Sequence, residues 1–268
     1  DVFDVESGTS AKKYYEYAYD WTEDTDVTSL FNEDALETGR DDDGKIKSLP
    51  WTYENMGILY NKDCFEKAGI TVLPTTMSEL EEACKKLKDA GITPIALPAK
   101  ETWVMGQLAT HFIIDKELGA EGTNEALKSG ELTFADLPHW ENLFKFLDLA
   151  MEYGPDKPLE VDWETSENML ANGDAAMIHM GDWCQSTLDS FNPDANLGFL
   201  PTPVGDGAED CTLLSSCNWT YIVNKDSEHL ELAKEYCEYI LTSEMGQYWM
   251  CEGVGAVPGV KTEKEVKG

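Results

Sequence analysis

Apolar residues recur along the chain in two patterns, short continuous runs and helical stripes. Runs at 56–60, 92–97 and 175–180 have the length and apolar content of buried strands. In the segments 138–153 and 228–241 the apolar positions follow a helical period, which predicts amphipathic helices. Because strands and helices alternate, the pattern predicts an α/β fold with a mainly parallel sheet covered by helices on both faces.

Turn and cap residues delimit the remaining predicted elements. Ser78 and Glu81 form a capping box, so a helix is predicted to begin there and to end at Gly91. A second helix over 103–118 is predicted to end at Gly119. The other predicted strands are 1–5, 197–200 and 212–223, and the other predicted helices are 61–68, 164–172, 182–191 and 243–251.

The charge of the chain is strongly negative. Lys and Arg total 20 against 52 Asp and Glu, which gives a formal net charge of −32. Binding a nucleic-acid backbone requires clustered basic residues, so nucleic acid is excluded as a partner, and the same charge argues against docking on an anionic membrane. The single arginine, Arg40, stands beside Asp41, and bidentate arginine is the usual means of holding an anion. We therefore expect a neutral or cationic small-molecule ligand.

The seven cysteines indicate free thiols rather than a disulfide framework. Their number is odd, and no C-x-x-C spacing occurs. Cys84 and Cys237 fall on apolar helical stripes, where a thiol acts as a small hydrophobic group. Pairing of Cys211 with Cys217 across a turn stays open as an alternative.

Motifs for metal binding and catalysis do not stand out. The four histidines are scattered, and the segment from Asp41 to Gly44 matches only half of a calcium loop. The sequence contains no nucleophile elbow, Walker loop or G-x-G-x-x-G motif. We therefore expect no catalytic residues, no metal and no cofactor, although the many acidic residues leave a catalytic carboxylate pair open.

Four tryptophans share a local pattern in which the ring follows a turn or cap residue. They are Trp51 after Pro50, Trp103 after Glu101 and Thr102, Trp183 after Gly181 and Asp182, and Trp219 after Asn218. Ligands of open α/β sheets bind at such strand ends. An indole face beside a carboxylate or amide suits the C–H face and the hydroxyls of a sugar, so the pattern favours a carbohydrate cleft.

The alternative interpretation is that these rings fill core or interface space. For Trp140 and Trp249, which lie on helical stripes, core packing is the better interpretation. Trp21 and Trp163 lie in acidic surroundings, and the pattern gives them no assignment.

Three stretches carry a resemblance to a known family. The first runs from Leu49-Pro50 through Tyr60-Asn61-Lys62 to Gly69-Ile70 and continues from Pro74-Thr75 to Pro94-Ile95. The second runs from Asn172-Gly173-Asp174 to Gly181-Asp182-Trp183, and the third combines Leu232-Ala233-Lys234-Glu235-Tyr236 with Gly255-Ala256-Val257-Pro258. On these motifs the sequence resembles the extracellular sugar-binding proteins of ABC importers, the maltose-binding-protein-like group.

The resemblance implies a two-lobed, type II periplasmic-binding-protein-like fold with mixed, mainly parallel sheets and a hinge of crossing strands. The first lobe would hold residues 1–61 and 218–256, and the second lobe 62–217 and 257–268. The crossings would lie at 56–60, 213–217 and near 255–259. Family members begin with a further βαβα segment and end with further helices, so we expect this chain to lack both ends.

The resemblance also implies which residues bind the ligand, and it implies no catalytic residues. The expected ligand-binding residues are Trp103, Asp182 and Trp183 in the second lobe, and Ser7, Thr9, Trp51, Tyr53, Glu54, Asn218 and Trp219 in the first.

The function implied by the resemblance is capture of a carbohydrate, a neutral oligosaccharide, between the two lobes and delivery to the permease subunits of an ABC importer. The protein would be a monomer outside the cytoplasm, either a cell-surface lipoprotein or periplasmic. Two alternatives stay open: the same fold binding a cationic or amine ligand, and a glycoside hydrolase with an aromatic-lined cleft.

Overall fold

The computed structural model describes residues 1–207 and 209–266. Contacts between residues divide the chain into two units. Unit 1 combines Asp1–Asn55 with the chain from Ser215 onward, and unit 2 is Met56–Leu214.

The strands carry the labels β1 to β9 in chain order. They are β1 (Val2–Glu6), β2 (Leu49–Asn61), β3 (Thr93–Ile95), β4 (Ala175–Gly181), β5 (Leu197–Leu200), β6 (Thr202–Pro203), β7 (Cys211–Thr212), β8 (Leu214–Val223) and β9 (Val257–Pro258).

The α-helices carry the labels α1 to α12. They are α1 (Thr9–Lys12), α2 (Thr25–Thr28), α3 (Glu33–Glu37), α4 (Lys62–Lys67), α5 (Met77–Asp89), α6 (Thr102–Ile113), α7 (Gly119–Ser129), α8 (Trp140–Glu152), α9 (Trp163–Asn172), α10 (Gln185–Phe191), α11 (Leu230–Thr242) and α12 (Glu244–Tyr248). Short 3₁₀ helices lie at Phe134–Asp136, Pro158–Glu160 and Asp182–Cys184, and a π-helix at Trp249–Val254. Among the described residues, no helix combines the length and hydrophobicity needed to cross a bilayer.

In unit 1, strand β1 pairs antiparallel with β8, so that Asp4 lies opposite Tyr221 and Glu6 opposite Trp219. The core beneath holds large side chains from distant segments, among them Trp21 and Phe31, which are almost completely buried. Trp21, which the sequence left unassigned, is therefore a core residue of unit 1.

In unit 2, the second part of β2 pairs antiparallel with both β4 and β5, and β3 pairs parallel with β4. Every residue of β4 is buried. Helices α5, α6 and α8 contribute side chains such as Leu87, Leu108 and Phe146 to the main core of this unit. The carboxyl end of β4, at Gly181, leads directly into Asp182 and Trp183, two of the expected ligand-binding residues.

The α/β class with a mixed sheet is confirmed, but the proportion of parallel pairs differs from the sequence-based expectation. Strand β3 pairs parallel with β4, whereas the pairs β1–β8, β2–β4, β2–β5, β2–β9 and β6–β7 are antiparallel. Alternation of helices and strands does not fix strand direction, because a long connection can return the chain to a sheet with either polarity.

The predicted carboxyl end of one helix is wrong. The helix predicted over 103–118 ends at Ile113, and a separate helix, α7, begins at Gly119. The carboxylate of Asp115 accepts hydrogen bonds from the backbone N–H groups of Glu117 and Leu118, at 2.9 and 3.1 Å, and this local turn interrupts the helix. The sequence pattern did not reveal α7.

The capping box predicted at Ser78 and Glu81 is also wrong. The N-cap of α5 is Thr76, whose Oγ1 accepts a hydrogen bond from the backbone N–H of Glu79 at 3.1 Å. Ser78 instead donates its hydroxyl to Asp206 at 3.0 Å. Two overlapping cap-like patterns occur in this segment, and the later one does not form because Asp206 binds the Ser78 hydroxyl and backbone N–H.

The unit boundaries also differ from the predicted lobe boundaries at 61/62 and 217/218. The division falls between Asn55 and Met56, inside strand β2, and between Leu214 and Ser215. Strand β9, expected in the second lobe, pairs with residues of unit 1, with Thr52 opposite Pro258. A continuous strand can pass from one unit to the other without a break in its hydrophobic pattern, so the pattern does not mark the boundary.

Candidate functional site

Three tryptophans of unit 2 come together as an aromatic cluster, which we define as Trp103, Trp163 and Trp183. The rings of Trp103 and Trp163 lie edge to face, with centroids 5.4 Å apart. The rings of Trp103 and Trp183 are 6.5 Å apart and inclined by 50°. Trp103 is 38% exposed, so part of its indole is accessible to a ligand.

Local structure positions these rings. Trp103 stands in the first turn of α6, after its N-cap residue Glu101, and Trp183 stands in the 3₁₀ helix that follows β4. The Trp183 indole lies against Gly181, where a Cβ atom would come within 1.9 Å of Cζ3 of the ring. Gly181 therefore makes room for the ring.

A buried carboxylate lies next to the cluster. Glu167 is only 1% exposed, and its Oε1 accepts a hydrogen bond from Nε1–H of Trp163, one helical turn away on α9. Burial raises the pKa of the Glu167 carboxyl, and interactions with Cys184 and Trp163 partly offset this. Oε2 of Glu167 is buried, and no donor lies at hydrogen-bond geometry to it.

Four of the expected ligand-binding residues lie together in unit 1 and form what we call the polar group: Ser7, Glu54, Asn218 and Trp219. The Glu54 carboxylate accepts hydrogen bonds from Nδ2–H of Asn218 at 2.9 Å and from Nε1–H of Trp219 at 3.0 Å. Ser7 follows β1 and donates its backbone N–H to the carbonyl of Asn218 at 2.7 Å. Its hydroxyl oxygen is buried and has no partner. The pairing of β1 with β8 creates this group.

Trp51 lies in a different environment of unit 1. Its ring stacks on Tyr221, with centroids 6.1 Å apart, and contacts Trp249 at 5.8 Å. Its Nε1–H donates to Asp4 at 3.1 Å, and burial raises the pKa of Asp4. Trp249, expected in the core, is 39% exposed. A ligand-binding role for Trp51 stays a prediction.

The remaining expected residues are placed as follows. Tyr53 lies beside Asp34 and Asn32, and burial followed by the Asp34 carboxylate raises the pKa of its hydroxyl. Thr9 is the exposed first residue of α1, and Asp182 is the half-buried first residue of the 3₁₀ helix that carries Trp183. Ligand-binding roles for these three also stay predictions.

Sequence reasoning assigned no role to Trp163 or Glu167, which the structure places at the aromatic cluster. Their spacing of four residues on a helix was the available signal, because it places the indole N–H within reach of the carboxylate. The acidic neighbours of Trp163 hid this signal, since they also fit a solvated helix face.

Chemically, the two groups of residues provide indole faces, amide and indole donors, and carboxylate acceptors. Such a set can stack against a flat apolar face and exchange hydrogen bonds with hydroxyls. Within residues 1–207 and 209–266, no group of three or more His, Cys, Asp or Glu side chains could hold a metal ion.

The sequence pattern of one protein family, bacterial extracellular solute-binding proteins, matches residues 8–247. The chain belongs to this family. The family predicted from the sequence motifs is thereby confirmed, and so is the type II solute-binding fold.

The curated relatives of this solute-binding protein include sugar-binding proteins. It is 24% identical to the multiple sugar-binding protein of Streptococcus mutans, over 82% of this chain and 53% of the relative. It is 22% identical to the melibiose/raffinose/stachyose-binding protein of Bacillus subtilis, over 90% of this chain and 57% of the relative. The chain thus spans about half the length of the curated relatives it matches.

A solved structure, a chitin oligosaccharide binding protein, has the same fold. It superposes with a TM-score of 0.81 at 22% identity and covers 98% of this chain and 67% of its own.

Proposed function

We propose that this solute-binding protein binds a neutral oligosaccharide, with the aromatic cluster of unit 2 as its main sugar-binding surface. The observation that carries the proposal is the exposed Trp103 indole, held by Trp163 and Trp183 at the start of α6. An indole presents a large, rigid apolar face on which the C–H face of a pyranose can pack.

The polar group of unit 1 is proposed to contact the same sugar. Glu54 and Asn218 offer donors and acceptors that sugar hydroxyls need, and Ser7 stays a predicted ligand-binding residue. A few stacked rings and several hydrogen bonds correspond to micromolar affinity, about −8 kcal/mol.

The wider biological role is part of the same proposal. The family is extracellular, and the curated relatives include sugar-binding proteins. We therefore propose that the protein acts as a monomer outside the cytoplasm, at the cell surface or in the periplasm, and delivers its sugar to the permease subunits of an ABC importer. We also propose that it leaves the sugar unchanged, because its family is a solute-binding family.

The test is calorimetry of the chain against a panel of oligosaccharides, including raffinose, stachyose and chito-oligosaccharides. For the best ligand, Trp103→Ala is expected to weaken binding by at least about tenfold, or about 1.4 kcal/mol. Phe144→Ala is the matched control, because Phe144 is a 50% exposed aromatic of unit 2 outside the aromatic cluster.

Two further results bear on this proposal. In a double-mutant cycle, Trp103→Ala and Trp219→Ala are expected to be non-additive if both rings contact one sugar. An equal loss from Trp103→Ala and Phe144→Ala, or no binding across the panel, contradicts the sugar site. Release of reducing ends from any bound oligosaccharide contradicts a purely binding function.

A further inference from the structure

An acidic cavity of about 390 Å³ lies in unit 2 beside the aromatic cluster. Its lining residues are Glu101, Asp162, Trp163, Glu164, Glu167 and Thr187. We call it the acidic cavity. It shares Trp163 with the aromatic cluster, and Glu101 is the N-cap residue of the helix that carries Trp103.

The charge of the cavity is only partly compensated within the protein. Four of the six lining residues are carboxylates. Lys100 pairs with Asp162 at 2.9 Å, and Asp162 also accepts hydrogen bonds from Thr165. Within the described residues, the other three lining carboxylates, Glu101, Glu164 and Glu167, form no ion pair with a lysine or arginine.

Glu167 supplies the observation that points to a ligand. It lines the cavity although it is only 1% exposed. Its Oε1 accepts the Trp163 N–H and the Cys184 thiol interacts with the carboxylate, whereas Oε2 has no donor at hydrogen-bond geometry. A buried carboxylate oxygen without a partner costs several kcal/mol, so natural structures usually satisfy such a group with protein, water or a ligand. Oε2 is fully covered in this structure, so a donor in the cavity reaches it through a shift of the surrounding side chains.

We propose that the acidic cavity holds a protonated amine carried by the ligand, with Glu167 as its buried anionic partner and Trp163 as a cation–π surface. The inference rests on the proposed function, because the amine is taken to belong to the same carbohydrate that stacks on Trp103. The ligand class becomes an oligosaccharide that bears a free amino group.

An amine fits this cavity better than the other candidate occupants. A neutral hydroxyl satisfies one acceptor but leaves the surplus negative charge uncompensated. A metal ion requires several ligands at about 2–2.6 Å, and within the described residues the carboxylates form no such group. An ammonium group tolerates wider spacing, and it interacts favourably with both a carboxylate and an indole face.

The test compares three β-1,4-linked tetramers that differ only at C2 of each ring: those of glucosamine, N-acetylglucosamine and glucose. Calorimetry is expected to give at least tenfold tighter binding of the glucosamine tetramer than of the glucose tetramer at the same salt concentration. Glu167→Gln is expected to bring this ratio close to one while the glucose tetramer still binds.

Glu125→Gln is the matched control, because Glu125 is an exposed acid of unit 2 outside the cavity, and it should leave the ratio unchanged. If Glu167→Gln fails to fold, Glu164→Gln at the exposed rim is expected to lower the ratio in part. Circular dichroism and thermal melting establish the folding of each variant.

The outcomes separate this inference from the proposed function. Equal affinity for the three tetramers overturns the inference and leaves carbohydrate binding intact. Binding of spermidine but of no sugar, lost in Glu167→Gln, supports the cavity and overturns the proposed function. Tight Ca²⁺ binding that Glu167→Gln abolishes, without a preference for the amine, overturns the inference in favour of a metal site.

Discussion

At the scale of single residues, the Trp183 indole can take its position because residue 181 is a glycine and has no side chain. Gly181 is the last residue of β4, and a Cβ atom there would overlap the ring. Gly106, within α6, has no atom near the position of an added Cβ. The two glycines are therefore opposite cases for the same substitution.

We predict that Gly181→Ala displaces the Trp183 ring and weakens binding of the best sugar by about tenfold or more, about 1.4 kcal/mol. Gly106→Ala, in contrast, is expected to raise the free energy of unfolding by about 0.5–1 kcal/mol, because alanine has the higher helix propensity. It should leave sugar affinity unchanged. Calorimetry and urea denaturation of both variants check these results. Unchanged affinity in Gly181→Ala would mean that the Trp183 ring does not contact the ligand.

At the scale of elements, the packing of α6 on β4 buries two histidines. His111 is 4% exposed and His179 is 1% exposed, and their rings meet edge to face with centroids 4.9 Å apart. None of their four ring nitrogens has a hydrogen-bond partner, and Oε1 of Gln107, one turn earlier on α6, also has none. Burial lowers the pKa of His111 to about 4 and that of His179 well below its usual value.

These depressed pKa values predict a loss of stability in acid. Between pH 6.5 and about 4, the unfolded chain takes up protons that the folded histidines do not, so lowering the pH favours unfolding. Each histidine contributes up to about 1.4 kcal/mol per pH unit in this range, and for His111 the loss is complete near pH 4. Above pH 6.5 the effect is absent.

The pH prediction is checked by urea denaturation of the wild type and of a His111→Phe/His179→Phe variant between pH 7 and pH 5. The free energy of unfolding should fall less steeply in the variant. His229→Phe is the control, because His229 is exposed and should not alter the slope. Parallel curves for the wild type and the double variant would contradict neutral, buried histidines.

At the scale of the whole molecule, the cysteines are free thiols, as the sequence indicated. Six of the seven are buried, and Cys211 is half-buried. Cys211 and Cys217, the one candidate disulfide, are both free. Burial raises the pKa of these thiols, for Cys84, Cys217 and Cys237 to about 12, so the reactive thiolate is scarce.

We predict that one thiol, Cys211, reacts first with a disulfide reagent in the native protein at pH 8, and that all seven react in urea without a reductant. Burial shields the other thiols until the chain unfolds. Cys211→Ser should remove the early phase. A count below seven in urea would reveal a disulfide.

The family, the class of fold and many elements could be predicted from the sequence, because these depend on local pattern. The buried run at 175–180 is strand β4, and the amphipathic segment at 138–153 contains α8. Hydrophobic periodicity reports such elements directly, since it reflects which side of each element is buried. The motif around Gly181, Asp182 and Trp183 likewise lies within one short stretch of chain.

The tertiary structure alone decided which of these residues meet. Trp163 joins Trp103, Trp51 stacks on Tyr221, and Glu54 accepts hydrogen bonds from Asn218 and Trp219 across more than 160 positions of sequence. Contacts of this kind depend on strand register and helix packing, and one residue of slip in a strand reverses the faces of its side chains. A local pattern carries no record of that register, so it predicts which types of residue bind a ligand but not which side chains they contact.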